Sequence, residues 1–222
     1  MPHSSRRVRR GWSVLFALLL LPLGQAFAEG KAAKPEGQVD VPKMTREEAL
    51  AYLGVDQVAQ DADILVSLVM NGEVETVEAL LAAGLDVNGA NLLRKPILRI
   101  AMSACASQRY SPERQLAMAE VLLSHGAAVN EEGGELSPLM VAAQHCPAPM
   151  VRRLLAAGAD SNFKTSLGYS PLAMAFVMKN YAAAEALIES GARLSAAAAA
   201  RLLEGKNDDA ERVALLKKAQ GG

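Results

Sequence analysis

The chain reads Leu154-Leu155-Ala156-Ala157-Gly158-Ala159-Asp160-Ser161-Asn162, and related versions of this stretch occur at three other places. Each version has a pair of large aliphatic residues, two small or polar residues and a glycine. The four glycines are 42, 32 and 33 residues apart and stand at Gly84, Gly126, Gly158 and Gly191. Self-similarity at this spacing is the signature of a repeat architecture.

A second phrase keeps a nearly constant distance from the first. It reads Lys95-Pro96-Ile97-Leu98, Ser137-Pro138-Leu139-Met140 and Ser170-Pro171-Leu172-Ala173. Serine is a favourable N-cap residue, and a proline at the first helical position loses no hydrogen bond, so the phrase predicts the start of a helix. The aliphatic pair followed by glycine predicts the end of a second helix. One such hairpin cannot bury its own apolar faces, so we expect the units to stack.

These paired phrases resemble the ankyrin repeat, a 33-residue unit of one β-turn and two helices. The resemblance covers residues 61–195 and implies an all-α solenoid of stacked helical hairpins with β-turn fingers. It implies repeats at about 61–93, 94–135, 136–168 and 169–194. The family's Thr-Pro-Leu-His opening is altered, because serine replaces threonine and the histidine is replaced by Leu98, Met140 and Ala173. We therefore expect part of the family's hydrogen-bond network to be missing.

The sequence predicts helical caps at both ends of the domain at 45–222. Thr45-Arg46-Glu47-Glu48 is a capping box, which predicts a helix through about Leu53 in an N-terminal cap at 45–60. After the fourth repeat, Ser195 predicts a helix over 196–204, and 207–209 predict the start of a last helix in a C-terminal cap at 195–220. End repeats need such covers for solubility.

The N-terminus has the features of a secretory signal peptide. Four arginines precede a short apolar run at 14–23, and Ala26-Phe27-Ala28 matches a signal peptidase site, so we expect a leader at 1–28 with cleavage after Ala28. A transmembrane anchor and a twin-arginine signal are the alternatives. Residues 29–44 read as a flexible tether. The mature protein would then be periplasmic or secreted in a bacterium, as a monomer without a stable membrane anchor.

Composition and motifs argue against several classes of function. Four of the 23 Lys and Arg residues lie in the leader, so the mature chain, with 24 Asp and Glu, carries a net charge of about −5. Nucleic acid is therefore an unexpected partner. No catalytic glycine-serine motif, phosphate loop or His-Glu-x-x-His is present. We expect no enzyme, no catalytic residues, no metal and no cofactor.

Two histidines and two cysteines of the mature chain are candidate special residues. His125 precedes the helix-ending Gly126, so we expect it to bond the last helical carbonyls. His145 and Cys146 are neighbours, and an envelope enzyme using them is the alternative function. Cys105 and Cys146 would lie at the same end of adjacent first helices, which permits a disulfide in an oxidising compartment. Two buried free thiols are the alternative.

The second unit contains ten extra residues, at about 104–114. Pro96 and Gly126 are 30 residues apart, whereas the corresponding distance in the next two units is 20. Ser111-Pro112-Glu113 restarts the second helix, so the extra residues should lengthen the first helix and widen the turn. The insertion is either a tolerated surface elaboration or a contact element carrying Gln108, Arg109 and Tyr110.

Function is expected from the surface, because repeat solenoids bind through extended faces. We call the projecting loops finger 1 (86–95), finger 2 (127–136) and finger 3 (159–169). The candidate partner-binding residues are Leu92, Leu93, Arg94, Lys95, Glu131, Glu132, Glu135, Phe163, Lys164, Leu167 and Tyr169. The alternative for the apolar residues of this set is that some of them pack between fingers as local core. We expect another protein as the partner, bound by a scaffold, protector or inhibitor; an antitoxin-like immunity protein and a secreted host-directed factor are alternatives.

Overall fold

The computed structural model describes residues 43–130, 136–203 and 210–220. The predicted leader and all but two residues of the predicted tether lie outside these residues. The described residues form α-helices joined by turns, without a β-strand. The helices are α1 (Arg46–Leu53), α2 (Ala62–Asn71), α3 (Val74–Ala82), α4 (Ile97–Ser107), α5 (Pro112–Ser124), α6 (Pro138–His145), α7 (Ala148–Ala156), α8 (Pro171–Val177), α9 (Tyr181–Glu189), α10 (Ala196–Leu203) and α11 (Ala210–Gln220).

The helices pack in two layers that follow the order of the units. The first helices of successive hairpins, α2, α4, α6, α8 and α10, each contact the next one. The second helices, α3, α5, α7, α9 and α11, form the other layer in the same way. This arrangement confirms the predicted all-α stack of helical hairpins. In the described part of the chain, no helix is long and apolar enough to cross a membrane.

The predicted helix starts are confirmed at the two serine phrases. The Ser137 hydroxyl accepts from the Met140 N–H, and the Ser170 hydroxyl accepts from the Ala173 N–H, both at 3.2 Å. The Lys95-Pro96 version of this phrase differs, because α4 begins after Pro96 without a side-chain cap. A lysine side chain has no acceptor atom, so Lys95 cannot replace the serine.

The predicted helix ends are also confirmed. The four glycines of the first phrase all have a left-handed backbone, with φ between 80° and 106°. In each unit the residue after the glycine donates its N–H to the carbonyl of the aliphatic pair's first residue, as Ala127 does to Leu122 at 2.9 Å. This bond satisfies a carbonyl that the ending helix leaves open.

Helices lie at both ends of the stack. Thr45 and Glu48 form both bonds of the capping box that starts α1. Ala49 of α1 packs against Ala79 of α3 and against Ala83, the C-cap residue of that helix. At the other end α10 contacts α8 and α11 contacts α9, and the Leu194 N–H donates to the Ala219 carbonyl at 3.0 Å. Between these covers, buried side chains from α2 to α11 form one continuous apolar core.

Candidate functional site

Fingers 1 and 3 end in the same type of tight turn. In finger 1 the Arg94 N–H donates to the Asn91 carbonyl at 2.9 Å, and in finger 3 the Gly168 N–H donates to the Thr165 carbonyl at 2.8 Å. The fourth residue of each turn is left-handed, with φ of 49° at Arg94 and 79° at Gly168. The two tips therefore present Leu93 and Leu167 at equivalent turn positions.

Side chains at the base of each turn hold it in place. In finger 1 the Asn91 Nδ2 donates to the Lys95 carbonyl at 2.8 Å, and the Leu92 N–H donates to Asp63 Oδ1 of α2 at 2.8 Å. In finger 3 the Tyr169 N–H donates to Thr165 Oγ1 at 3.1 Å. These bonds fix the backbone, while the side chains at the tips are exposed.

Most of the predicted apolar anchors are exposed. Leu92 is 86% exposed and Leu167 80%, whereas Leu93 and Tyr169 are about half exposed. Phe163 is only partly accessible, which fits the alternative of local packing for this one side chain. The predicted cations are exposed as well: Arg94, Lys95 and Lys164. The structure thus brings each described set together on a finger, but Glu131, Glu132 and Glu135 of finger 2 lie outside the described residues.

A ladder of side-chain amides joins the bases of the fingers. Asn130 Nδ2 donates to the Gly158 carbonyl, and its Oδ1 accepts from the Asp160 N–H, both at 2.9 Å. Asn88 makes the same pair of bonds one unit earlier, and Gln60 makes it at the start of the stack. These residues are not among the predicted ones, although the asparagines recur four residues after Gly84 and Gly126.

The insertion in the second unit packs against the first unit. It does lengthen the first helix, since α4 has 11 residues where α6 has 8. The Tyr110 hydroxyl donates to the Val69 carbonyl at 3.0 Å, and a Cβ at Gly72 would lie 2.7 Å from the Tyr110 ring. Tyr110 is therefore a partly buried brace between the first two units, whereas Gln108 and Arg109 are exposed.

Arg114 completes this brace. Its Nε donates to the Gly72 carbonyl, and its Nη2 lies 2.8 Å from Glu75 Oε2. Burial raises the pKa of Tyr110 above its ordinary value, and the nearby Arg114 partly opposes this shift. The Tyr110 hydroxyl therefore keeps its proton and remains a donor at neutral pH.

A buried carboxylate connects the N-terminal segment with the first two units. Glu78 of α3 is 3% exposed, and its two oxygens accept from the Met44 N–H at 3.2 Å and pair with His125 Nε2 at 2.8 Å. His125 is the C-cap residue of α5, as expected, and its backbone N–H donates to the Val121 carbonyl at 3.2 Å, but its side chain bonds Glu78 rather than the helical carbonyls. Gly126 already supplies the backbone that closes α5, and the imidazole can reach the neighbouring unit instead.

Cys105 and Cys146 form a disulfide that joins α4 to the end of α6. Their Cα atoms are 5.1 Å apart, within the range that a disulfide requires. Both residues are buried. A nucleophilic role of Cys146 beside His145 would need a free thiolate, which the bonded sulfur cannot provide. Within the described residues, no group of three or more His, Cys, Asp or Glu side chains is arranged to hold a metal ion.

Comparison with known proteins agrees with this arrangement. A family model described as ankyrin repeats, in three copies, matches residues 102–198. A protein of Treponema pallidum (strain Nichols), whose name describes it as ankyrin repeat-containing, is 31% identical over 129 residues. The match covers 57% of this chain and 40% of that protein, so the chain spans less than half of its relative's length. Such repeats are generally non-catalytic and mediate protein–protein binding. Residues 102–198 therefore match ankyrin repeats, and the helical hairpins on either side of them continue the same stack.

Proposed function

We propose that the mature chain is a non-catalytic protein-binding module of the bacterial envelope, which acts on its partner as a scaffold, protector or inhibitor. The observation that carries this proposal is the pair of fixed finger tips with exposed leucines. Leu92 and Leu167 are both at least 80% exposed, although the backbone beneath them is held by hydrogen bonds. Burying such side chains against a partner is favourable, and a fixed loop loses little entropy on binding.

Two observations support a location in the envelope or outside the cell. The leader sequence predicts export, and a buried disulfide is expected in an oxidising compartment. The relative from Treponema pallidum is also bacterial. Cell fractionation tests the location. The proposal expects the protein in the periplasmic fraction or the medium, beginning at Glu29, whereas an uncleaved protein in the cytoplasm would contradict it.

Affinity capture tests the binding function. The bait is oxidised protein of residues 29–222, incubated with envelope extract of the source bacterium. A second bait carries Leu92→Ser, Leu167→Ser and Tyr169→Ser. A control bait carries Tyr52→Ser and Met70→Ser, which replace exposed apolar residues outside the fingers. We expect a partner on the first bait and the control but not on the finger variant. The same proteins on all three baits would contradict binding through these fingers.

The identity and activity of the captured partner then separate the possible roles. An antitoxin-like immunity protein would abolish the activity of a toxic partner, whereas a scaffold or protector would preserve the activity of a resident enzyme. A host-directed factor would bind host proteins and accumulate in the medium. Catalysis by His145 and Cys146 has less support, because Cys146 is 1% exposed and its sulfur is bonded.

A further inference from the structure

The turn of finger 1 holds Arg94, a residue with a Cβ, in a left-handed backbone conformation that favours glycine. Arg94 closes the turn with φ of 49°, where finger 3 has Gly168 at φ of 79°. Glycine adopts this region without steric cost, whereas a residue with a Cβ is strained there. Glycine at this position would therefore preserve the turn and stabilise the fold. The turn therefore does not require the arginine side chain, which is free to serve a role outside the fold.

The surroundings of Arg94 indicate what it provides. Arg94 and the adjacent Lys95 are exposed, and neither forms an ion pair with a carboxylate of the described residues. Leu92 and Leu93 precede them on the same turn, and Asn91 and Asp63 hold the backbone. The tip of finger 1 therefore presents two exposed cations, unpaired within the described residues, beside two exposed leucines in a fixed arrangement.

We infer that the tip of finger 1, Leu92 to Lys95, binds a protein segment in which carboxylates stand next to large apolar side chains. This inference rests on the proposed function and narrows its partner. Arginine can bind a carboxylate through two parallel hydrogen bonds, and this geometry adds specificity as well as energy. The leucines contribute by burying apolar surface. A partner of this kind uses both features of the tip.

An anionic membrane would offer similar charges, but the rest of the chain argues against it. The mature chain has a net charge of about −5. An anionic lipid surface would repel this excess of negative charge. A protein segment can place its carboxylates at the tip of finger 1 alone, so the observations favour protein.

Selection from a displayed library of disulfide-constrained random peptides tests this inference, with oxidised protein of residues 29–222 as the target. We expect the enriched peptides to combine Asp or Glu with large apolar residues. Leu92→Ser and Arg94→Gly should each weaken their binding about tenfold or more, as for anchor residues at the centre of an interface. Added salt should weaken it as well.

Gln108→Gly is the matched control for Arg94→Gly. Gln108 is also exposed and left-handed, with φ of 47°, but it lies in the insertion. Both substitutions should raise the midpoint of thermal unfolding, because both relieve the same kind of strain. Only Arg94→Gly should weaken peptide binding. A loss of affinity in a more stable variant cannot be attributed to misfolding.

Three results would overturn the inference: no enriched peptide, peptides without acidic residues, or binding that Arg94→Gly leaves unchanged. Binding to phosphatidylglycerol vesicles that is lost in Leu92→Ser and Arg94→Gly would also overturn it, in favour of a membrane. If envelope capture is retained by Arg94→Gly but lost when Leu167 and Tyr169 are replaced, the proposed function stands and the inference about finger 1 fails.

Discussion

The side chain of Asn88 connects two successive repeats, because its Nδ2 donates to the carbonyl of Gly126 at 2.9 Å. Its Oδ1 accepts from the Ala128 N–H at 2.9 Å, so one amide satisfies an acceptor and a donor at the base of finger 2. Gln60 and Asn130 repeat this geometry before and after it. Each finger is therefore attached to the unit before it.

Asn130→Ala should lower the free energy of unfolding by about 1–2 kcal/mol, since it removes two hydrogen bonds between units. Urea denaturation measures this change. Asn162→Ala is the control, because Asn162 holds the same repeat position but forms no such pair of bonds in the described part of the chain. Equal losses in the two variants would show that the ladder does not contribute as argued.

Reduction of Cys105–Cys146 should lower the free energy of unfolding by about 4 kcal/mol. The disulfide joins residues 41 apart, and the chain-entropy model gives this value for such a loop. Denaturation with and without a phosphine reductant measures the difference. The double variant Cys105→Ala and Cys146→Ala should be insensitive to the reductant. Two titratable thiols in the unfolded, unreduced protein would contradict the disulfide.

Glu78→Ala should lower the free energy of unfolding by about 2 kcal/mol, because it leaves the Met44 N–H and the buried side of His125 without their acceptor. Glu75→Ala on the same helix removes only the half-exposed pair with Arg114 and should cost less than about 1 kcal/mol. Chemical denaturation compares the two. Similar costs would mean that the buried carboxylate has no special role in joining these units.

Tyr110→Phe should lower the free energy of unfolding by about 1 kcal/mol at neutral pH, because it keeps the ring over Gly72 but loses the hydrogen bond to the Val69 carbonyl. The raised pKa of Tyr110 means that the native state holds this proton more tightly than the unfolded state. Its stabilisation is therefore complete below about pH 10 and is lost as the pH rises through the folded value.

Unfolding measured between pH 8 and pH 11 tests this effect. The wild-type protein should lose more stability over this range than Tyr110→Phe, and the difference between them should shrink as the pH rises. A constant difference across the range would contradict the contribution from the buried hydroxyl.

The stack was predictable because its signals are local. Ser137, Ser170 and the four glycines act on the backbone within a few residues of their own positions, so their types and spacing identify the helix ends directly. The disulfide could also be considered from the sequence, because stacking places Cys105 and Cys146 at equivalent ends of adjacent helices. Their pairing was nonetheless an open alternative, because helix spacing alone exceeds the reach of a disulfide.

The internal braces depend on contacts between units and were not predictable in the same way. Tyr110 lies 41 residues from Val69, and nothing in its neighbourhood distinguishes a brace from an exposed contact residue. Glu75 and Glu78 are equally ordinary helical glutamates in the sequence, yet only Glu78 faces His125. The amide ladder is different, since Asn88 and Asn130 recur in phase and the repeat itself marks them.

We propose that this repeat domain binds a protein through the tips of fingers 1 and 3. Hydrogen exchange of backbone amides, measured with and without the captured partner, locates the contact surface. We expect slower exchange in the complex at residues 91–95 and 165–169, with little change in α3, α5 and α7. Slowing confined to those second-layer helices, with unchanged exchange at both tips, would contradict it.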